Sequence, residues 1–204
     1  MLTNIVEYLF LIRLFNDIFT DDDKIKIISL NKFLNNVKIK FIFNNQIKIK
    51  EEDKNKWYFN NLTNVTMGNY FGNIPISTKI LKLDFPNGVK LDFLIPDHIY
   101  RLTFGRSFNQ KIHNRIPNSV THLKFGERFN QSIKECIPNS VTHLYFGKRF
   151  NQEIDNYIPN SVVHLELPGY VKRVSKFPLN LKYLYCSENF YELNKDYIPS
   201  NIQF

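Results

Sequence analysis

Apolar and polar positions alternate with a regular beat through the second half of the chain. Val120, Leu123 and Phe125 follow an apolar-x-x-apolar-x-apolar pattern, and the last pair alternates as a short half-buried strand requires. The pattern returns at a 21-residue step in three near copies: IPNSVTHLKFGERFNQSI from Ile116, IPNSVTHLYFGKRFNQEI from Ile137 and IPNSVVHLELPGY from Ile158. Prolines keep the same step at Pro75, Pro96, Pro117, Pro138 and Pro159, then fall at Pro178 after 19 residues and Pro199 after 21. Leu81, Leu102, Leu123, Leu144, Leu165 and Leu184 each stand six residues past a proline.

This unit predicts short parallel strands over 80–83, 101–104, 122–125, 143–146, 164–167 and 183–186, stacked in one sheet. Proline just before each strand makes a turn and gives up no ladder N–H. Twenty-one residues are too few for a strand, two turns and an ordinary antiparallel helix, so the return path is expected to be extended or a short 3₁₀ turn. One coil cannot bury its apolar face alone, whereas stacked coils share a core. Leu123 and Phe125 should be buried, and His122 and Lys124 exposed. Phe104, Phe125 and Phe146 should stack in register about 4.8 Å apart, as should Phe108, Phe129 and Phe150. Asn109, Asn130 and Asn151, each followed by Gln, read as an inward ladder that bonds the backbone of the next coil.

The N-terminal quarter has another texture. Ile5, Leu9, Ile12, Phe15 and Phe19 recur at three- and four-residue steps, a helical stripe. Residues 20–23 offer N-capping side chains ahead of Ile25, Ile28, Leu30 and Phe33. Residues 36–73 are strand-prone and read as a connector with degenerate first coils.

Composition narrows the functional classes. The 204 residues carry a net charge of +8, but they include 26 Asn, 23 Ile and no alanine. That bias follows AT-rich codons and inflates the basic content. The charges are interspersed, without the basic face and reading element of a nucleic-acid binder, so no nucleic acid is expected as partner. No apolar run reaches the roughly 18 residues of a membrane span, and 2–19 is broken by Glu7, Arg13 and Asp17. No basic leader or small-residue cleavage site precedes it, so a cytoplasmic setting is expected. Cys136 and Cys186 give neither a disulfide framework nor a zinc spacing.

Catalytic chemistry finds one tempting constellation, His122, His143 and His164, each directly before a strand leucine. No carboxylate recurs beside them to orient a ring, and the column continues as Ile80, Arg101 and Tyr183, which breaks any ligand set. They are read as exposed repeat positions on the concave strand face. Cys186 stands where a core Phe or Leu recurs and is read as a small buried hydrophobe. Neither cofactor nor metal is expected, and the chain reads as a non-enzyme.

Two resemblances sharpen this. The IPNSVTHLxFGxxFNQ motif, over residues 74–204, resembles the FNIP repeat, a leucine-rich-repeat relative found in tandem in social amoebae and amoebal giant viruses. In PLNLKYLYCSENFYEL, Leu181, Leu184, Cys186 and Asn189 match the leucine-rich consensus L-x-x-L-x-L-x-x-N. LFNDIFTDDDKIKIISLNKFLN, from Leu14 to Asn35, is similar to the middle and end of an F-box, although the leading Leu-Pro of that family is missing. The F-box likeness implies a Skp-type ubiquitin ligase adaptor as partner, with Leu14, Phe15, Phe19, Ile25, Ile28 and Leu30 supplying apolar contacts or the module's own core. The alternative is a plain helical cap on the first coil.

The expected fold is therefore α+β. An F-box-like helical module or cap fills 1–45, a connector with degenerate coils 46–73, and a β-solenoid of FNIP-type repeats 74–204, with one parallel sheet and little helix. The expected function is protein binding, as the substrate-recognition adaptor of a cullin-type ubiquitin ligase or as a repeat scaffold without ligase coupling, in the host cytoplasm if the source is viral. The expected partner-binding strip is Tyr100, Arg101, Thr103, His122, Lys124, His143, Tyr145, His164, Glu166, Tyr183 and Tyr185.

Overall fold

A computed structural model of the protein describes residues 47–49, 64–67, 74–86, 89–171 and 174–204. The helical module expected over 1–45, with its six candidate adaptor contacts, lies outside these residues.

Eight strands among the described residues form one sheet in strict chain order. They are β1 (Ile47–Ile49), β2 (Asn64–Met67), β3 (Ile80–Leu83), β4 (Arg101–Phe104), β5 (His122–Lys124), β6 (His143–Tyr145), β7 (His164–Glu166) and β8 (Tyr183–Tyr185). All neighbours pair in parallel. The register aligns Val65, Leu81, Leu102, Leu123, Leu144, Leu165 and Leu184 in one column, and all seven are buried. This is a parallel β-solenoid, as the 21-residue beat predicts. The ladder also reaches into residues 46–73, where β1 and β2 pair at shorter steps of 18 and 16 residues.

The return path is made of single turns with the i to i+3 bonds of a short 3₁₀ turn, joined by stretches without regular structure. A regular coil closes three four-residue turns, with Val120 N–H donating to Pro117 O, Phe129 to Gly126 O and Cys136 to Ile133 O. The proline turn recurs at Pro75, Pro96, Pro117, Pro138, Pro159, Pro178 and Pro199. The third turn places Asn114, Glu135 and Asn156 at φ of 54°, 55° and 64°. Asparagine tolerates this left-handed conformation, whereas Glu135 adopts it under strain.

Glycines set how closely the coils approach. A Cβ on Gly126 would lie 2.0 Å from the carbonyl oxygen of Gly105, and one on Gly147 would lie 2.0 Å from that of Gly126. The FG pair of the motif thus ends the strand on a core ring and then lets adjacent backbones touch.

The core rings are stacked, with a correction to their spacing. Phe104–Phe125 and Phe125–Phe146 centroids lie 5.4 and 5.3 Å apart, and Phe108–Phe129 and Phe129–Phe150 lie 6.2 and 6.0 Å apart, all wider than the strand spacing. The closest contacts run within a coil, at 4.2 Å for Phe104–Phe108 and 4.0 Å for both Phe125–Phe129 and Phe146–Phe150. Each coil therefore brings its own stacked pair and leans it on the next.

Side-chain ladders tie coil to coil. Asn109 Oδ1 accepts from the Asn130 N–H at 2.9 Å and from Gln131 Nε2 at 3.0 Å, and Asn130 repeats this toward Asn151 and Gln152. The ladder exists, but on the coil edge, where Asn109 and Asn151 are exposed rather than turned inward. Two further ladders were not anticipated. Ser119, Ser140 and Ser161 donate to the carbonyls of Ile99, Val120 and Val141. Thr121 and Thr142 donate to those of Tyr100 and Thr121.

The last coil departs from the consensus expected for it. Residues Glu188–Asn194 form a seven-residue helix, α1, capped by Ser187, whose Oγ accepts from the Phe190 N–H at 3.2 Å. Asn189 lies exposed on this helix. The buried amide is Asn194, which accepts from the Val174 N–H at 2.6 Å and donates to Phe190 O at 2.8 Å. Cys186 is half-buried, because Phe190 rather than Cys186 fills the core there.

Candidate protein-binding face

Period-two alternation puts the odd positions of each strand outside. Two columns result, Ile80–Arg101–His122–His143–His164–Tyr183 and Lys82–Thr103–Lys124–Tyr145–Glu166–Tyr185. The register thus brings together the predicted strip from Arg101 to Tyr185, with Tyr100 flanking it one residue before β4. Arg101, Lys124 and Glu166 are exposed, as are Tyr100 and Tyr185.

The first column is more closely knit than an exposed row. His122 and His143 rings stack 4.1 Å apart at 11°, His143 and His164 4.2 Å apart at 10°, and His164 and Tyr183 4.3 Å apart at 13°. Tyr100 closes the other end edge-on, 6.3 Å from His122. Stacking leaves the three histidines half-buried, which corrects the expected exposure of His122. Thr121 and Thr142 Oγ1 lie 2.9 Å from Nδ1 of His122 and His143. The same hydroxyls reach carbonyls of the preceding coil at 3.3 and 3.2 Å, so each threonine links its histidine to the neighbouring coil. Val163 replaces the threonine before His164 and breaks the series.

Electrostatics keep His122 and His143 neutral. Burial, then the neighbouring His143, Arg101 and His164, push the His122 pKa down to about 4. His143 is lowered by burial, His164 and Arg101. Burial raises the Tyr145 phenol, so it stays a neutral hydroxyl, and Lys124 Nζ stands 5.9 Å from the centre of its ring. Parallel stacked imidazoles aim their nitrogens side by side rather than at one point. Accordingly, no group of three or more His, Cys, Asp or Glu among the described residues is arranged to hold a metal ion. Burial also raises both cysteine thiols, which keeps them protonated and poor nucleophiles.

Residues 90–128 and 129–170 match the FNIP Repeat family. Those residues are FNIP repeats. FNIP repeats form a repeat family with no known catalytic function. The chain is also similar to CroV588, a circular leucine-rich-repeat protein of known crystal structure, with 31% identity and a TM-score of 0.51. The match covers 78% of this chain but 28% of that protein, so the chain spans under a third of its length. No curated protein matches the chain. Among its described residues no helix is long and apolar enough to cross a membrane.

Proposed function

We propose that the strand-face strip of this FNIP repeat scaffold recognises a protein partner, and that residues 14–30 couple it to a Skp-type ubiquitin ligase adaptor. The observation that carries the first half is the contrast between fixed and varied columns. The inner leucine column is invariant from β3 to β8, whereas the outer column beside it reads Lys82, Thr103, Lys124, Tyr145, Glu166, Tyr185. Packing fixes the first, and nothing in the fold requires the second to vary. Tyrosine and arginine are also the residue types that most often anchor protein interfaces. The second half rests on the F-box likeness of residues 14–35 alone.

The two halves separate experimentally. Charge reversal at Arg101 and Lys124 combined with Tyr145→Ala should abolish capture of the partner and leave adaptor pull-down intact. Polar residues at Phe15 and Ile28 should do the reverse. Full partner capture by the strip variant would move the contact to the turns. Failure of the intact chain to retain a Skp-type adaptor would leave a binding scaffold without ligase coupling.

A further inference from the structure

The strand face is unevenly charged. Between β4 and β7 it dips into a shallow depression lined by Arg101, Thr103, His122, Lys124, Tyr145 and Glu166. Cations on either side of it are neutralised, since Lys82 pairs with Asp84 at 3.4 Å and Arg106 with Glu127 at 2.8 Å. Arg101 and Lys124 have no such carboxylate partner among the described residues. Arg101 stands in register beside His122, at the end of the imidazole stack. The depression thus gathers two unpaired cations and two hydroxyls, those of Thr103 and Tyr145, with a single acid, Glu166, at its far wall.

We infer that this depression receives a carboxylate side chain from an acidic, extended segment of the partner protein. A guanidinium presents paired N–H donors that match a carboxylate, an ammonium adds a point charge, and the hydroxyls complete the donor set. Glu166 limits the charge that fits. Two cations less Glu166 leave the depression one positive charge, which one carboxylate balances and a phosphoryl dianion oversteps, so the site is matched to Asp or Glu. The inference rests on the strip being the protein-binding face and adds the class of side chain that it takes.

Fluorescein-labelled hexaglutamate, titrated with the full chain at about 50 mM salt and read by anisotropy, tests this. It should bind, and hexaglutamine should not. Arg101→Gln with Lys124→Gln should weaken binding about tenfold or more, the loss of two charge-assisted contacts. Glu166→Gln should tighten it by about threefold. Lys148→Gln with Arg149→Gln removes the same charge from an exposed turn elsewhere and should change affinity by less than about twofold. Equal weakening by the two double variants would overturn the proposal, because the binding would then follow the overall +8 charge. So would tighter binding of a hexaglutamine carrying one phosphoserine. Absence of hexaglutamate binding while the strip still captures a partner would also refute the carboxylate class and leave the protein-binding reading standing.

Discussion

Columns of rings stack on both sides of the sheet, phenylalanines behind it and histidines in front, and they obey different physics. The phenylalanine columns are wholly buried and spaced at 5.3–6.2 Å between coils. The histidine column is half-buried and spaced at 4.1–4.2 Å. Strand pairing fixes about 4.8 Å between neighbours at the sheet itself. The coils therefore draw together in front of the sheet and spread behind it, and the spread grows from the Phe104 row to the Phe108 row. The rings thus splay like a fan that is narrower on the strand face. Apolar volume decides how far the backs of the coils stand apart, while flat imidazoles let the fronts close.

The largest effects should come from the inner columns. Phe125→Ala or Leu144→Ala removes a fully buried side chain in the middle of the stack and should cost about 2–5 kcal/mol by denaturant unfolding. His143→Ala should cost less, about 1 kcal/mol, from two lost ring contacts and one hydrogen bond. That exceeds what an exposed side chain contributes. A loss at His143 as large as at Leu144 would erase the distinction between the two faces.

Acid should act on the outer column alone. With His122 at about 4 in the folded chain and near 6.5 when unfolded, the unfolded state holds the extra proton between those values. This contribution to stability is complete above pH ~6.5 and falls as pH drops toward 4. His143 shifts in the same direction. Replacing both with Gln should flatten the decline in unfolding midpoint between pH 7 and pH ~4.5 relative to the parent chain. An unchanged slope would mean that the column is not what makes the front face acid-sensitive.

The smallest effect is expected at Thr142→Val, which removes a hydroxyl bonded both to the Thr121 carbonyl and to His143. Val163 already occupies the equivalent place with the same backbone bond, its N–H donating to Thr142 O at 2.8 Å. A cost of about 0.5–1 kcal/mol is expected, with the His143 pKa moved by the loss of its hydroxyl partner, read by NMR titration.

The strands, the inner columns and the membership of the outer strip were all legible in the spacing, because a 21-residue step leaves one parallel register that keeps every leucine inside. Ring spacing was not legible, since it depends on rotamers and on curvature accumulated over many coils. Asn189 was misread because its match to the leucine-rich consensus outweighed a local cue, Ser187 followed by acidic Glu188, that marks a helix start. The threonine and serine ladders were visible only as copied letters in NSVTH; their donors could be assigned once the preceding coil's carbonyls were placed. The depression at Arg101 was likewise hidden, because it depends on which carboxylates of the neighbouring coils are taken by other cations.

The invariant register gives the array something like a reading frame. Every column, inside and out, is counted in steps of 21 residues from Leu81 to Leu165. Excision of residues 116–136 would splice one coil out in frame. The downstream leucines and phenylalanines would keep their places, the glycine carbonyls would still meet, and His143 would stack where His122 had stood. Loss of one residue within a strand turns that strand's core side chains toward solvent, whereas the turns absorb shorter steps, as between β1 and β3 and between β7 and β8. Such a molecule can lengthen, shorten or reorder its outer strip by whole coils, so recognition can change while the part that holds the chain together is copied unaltered.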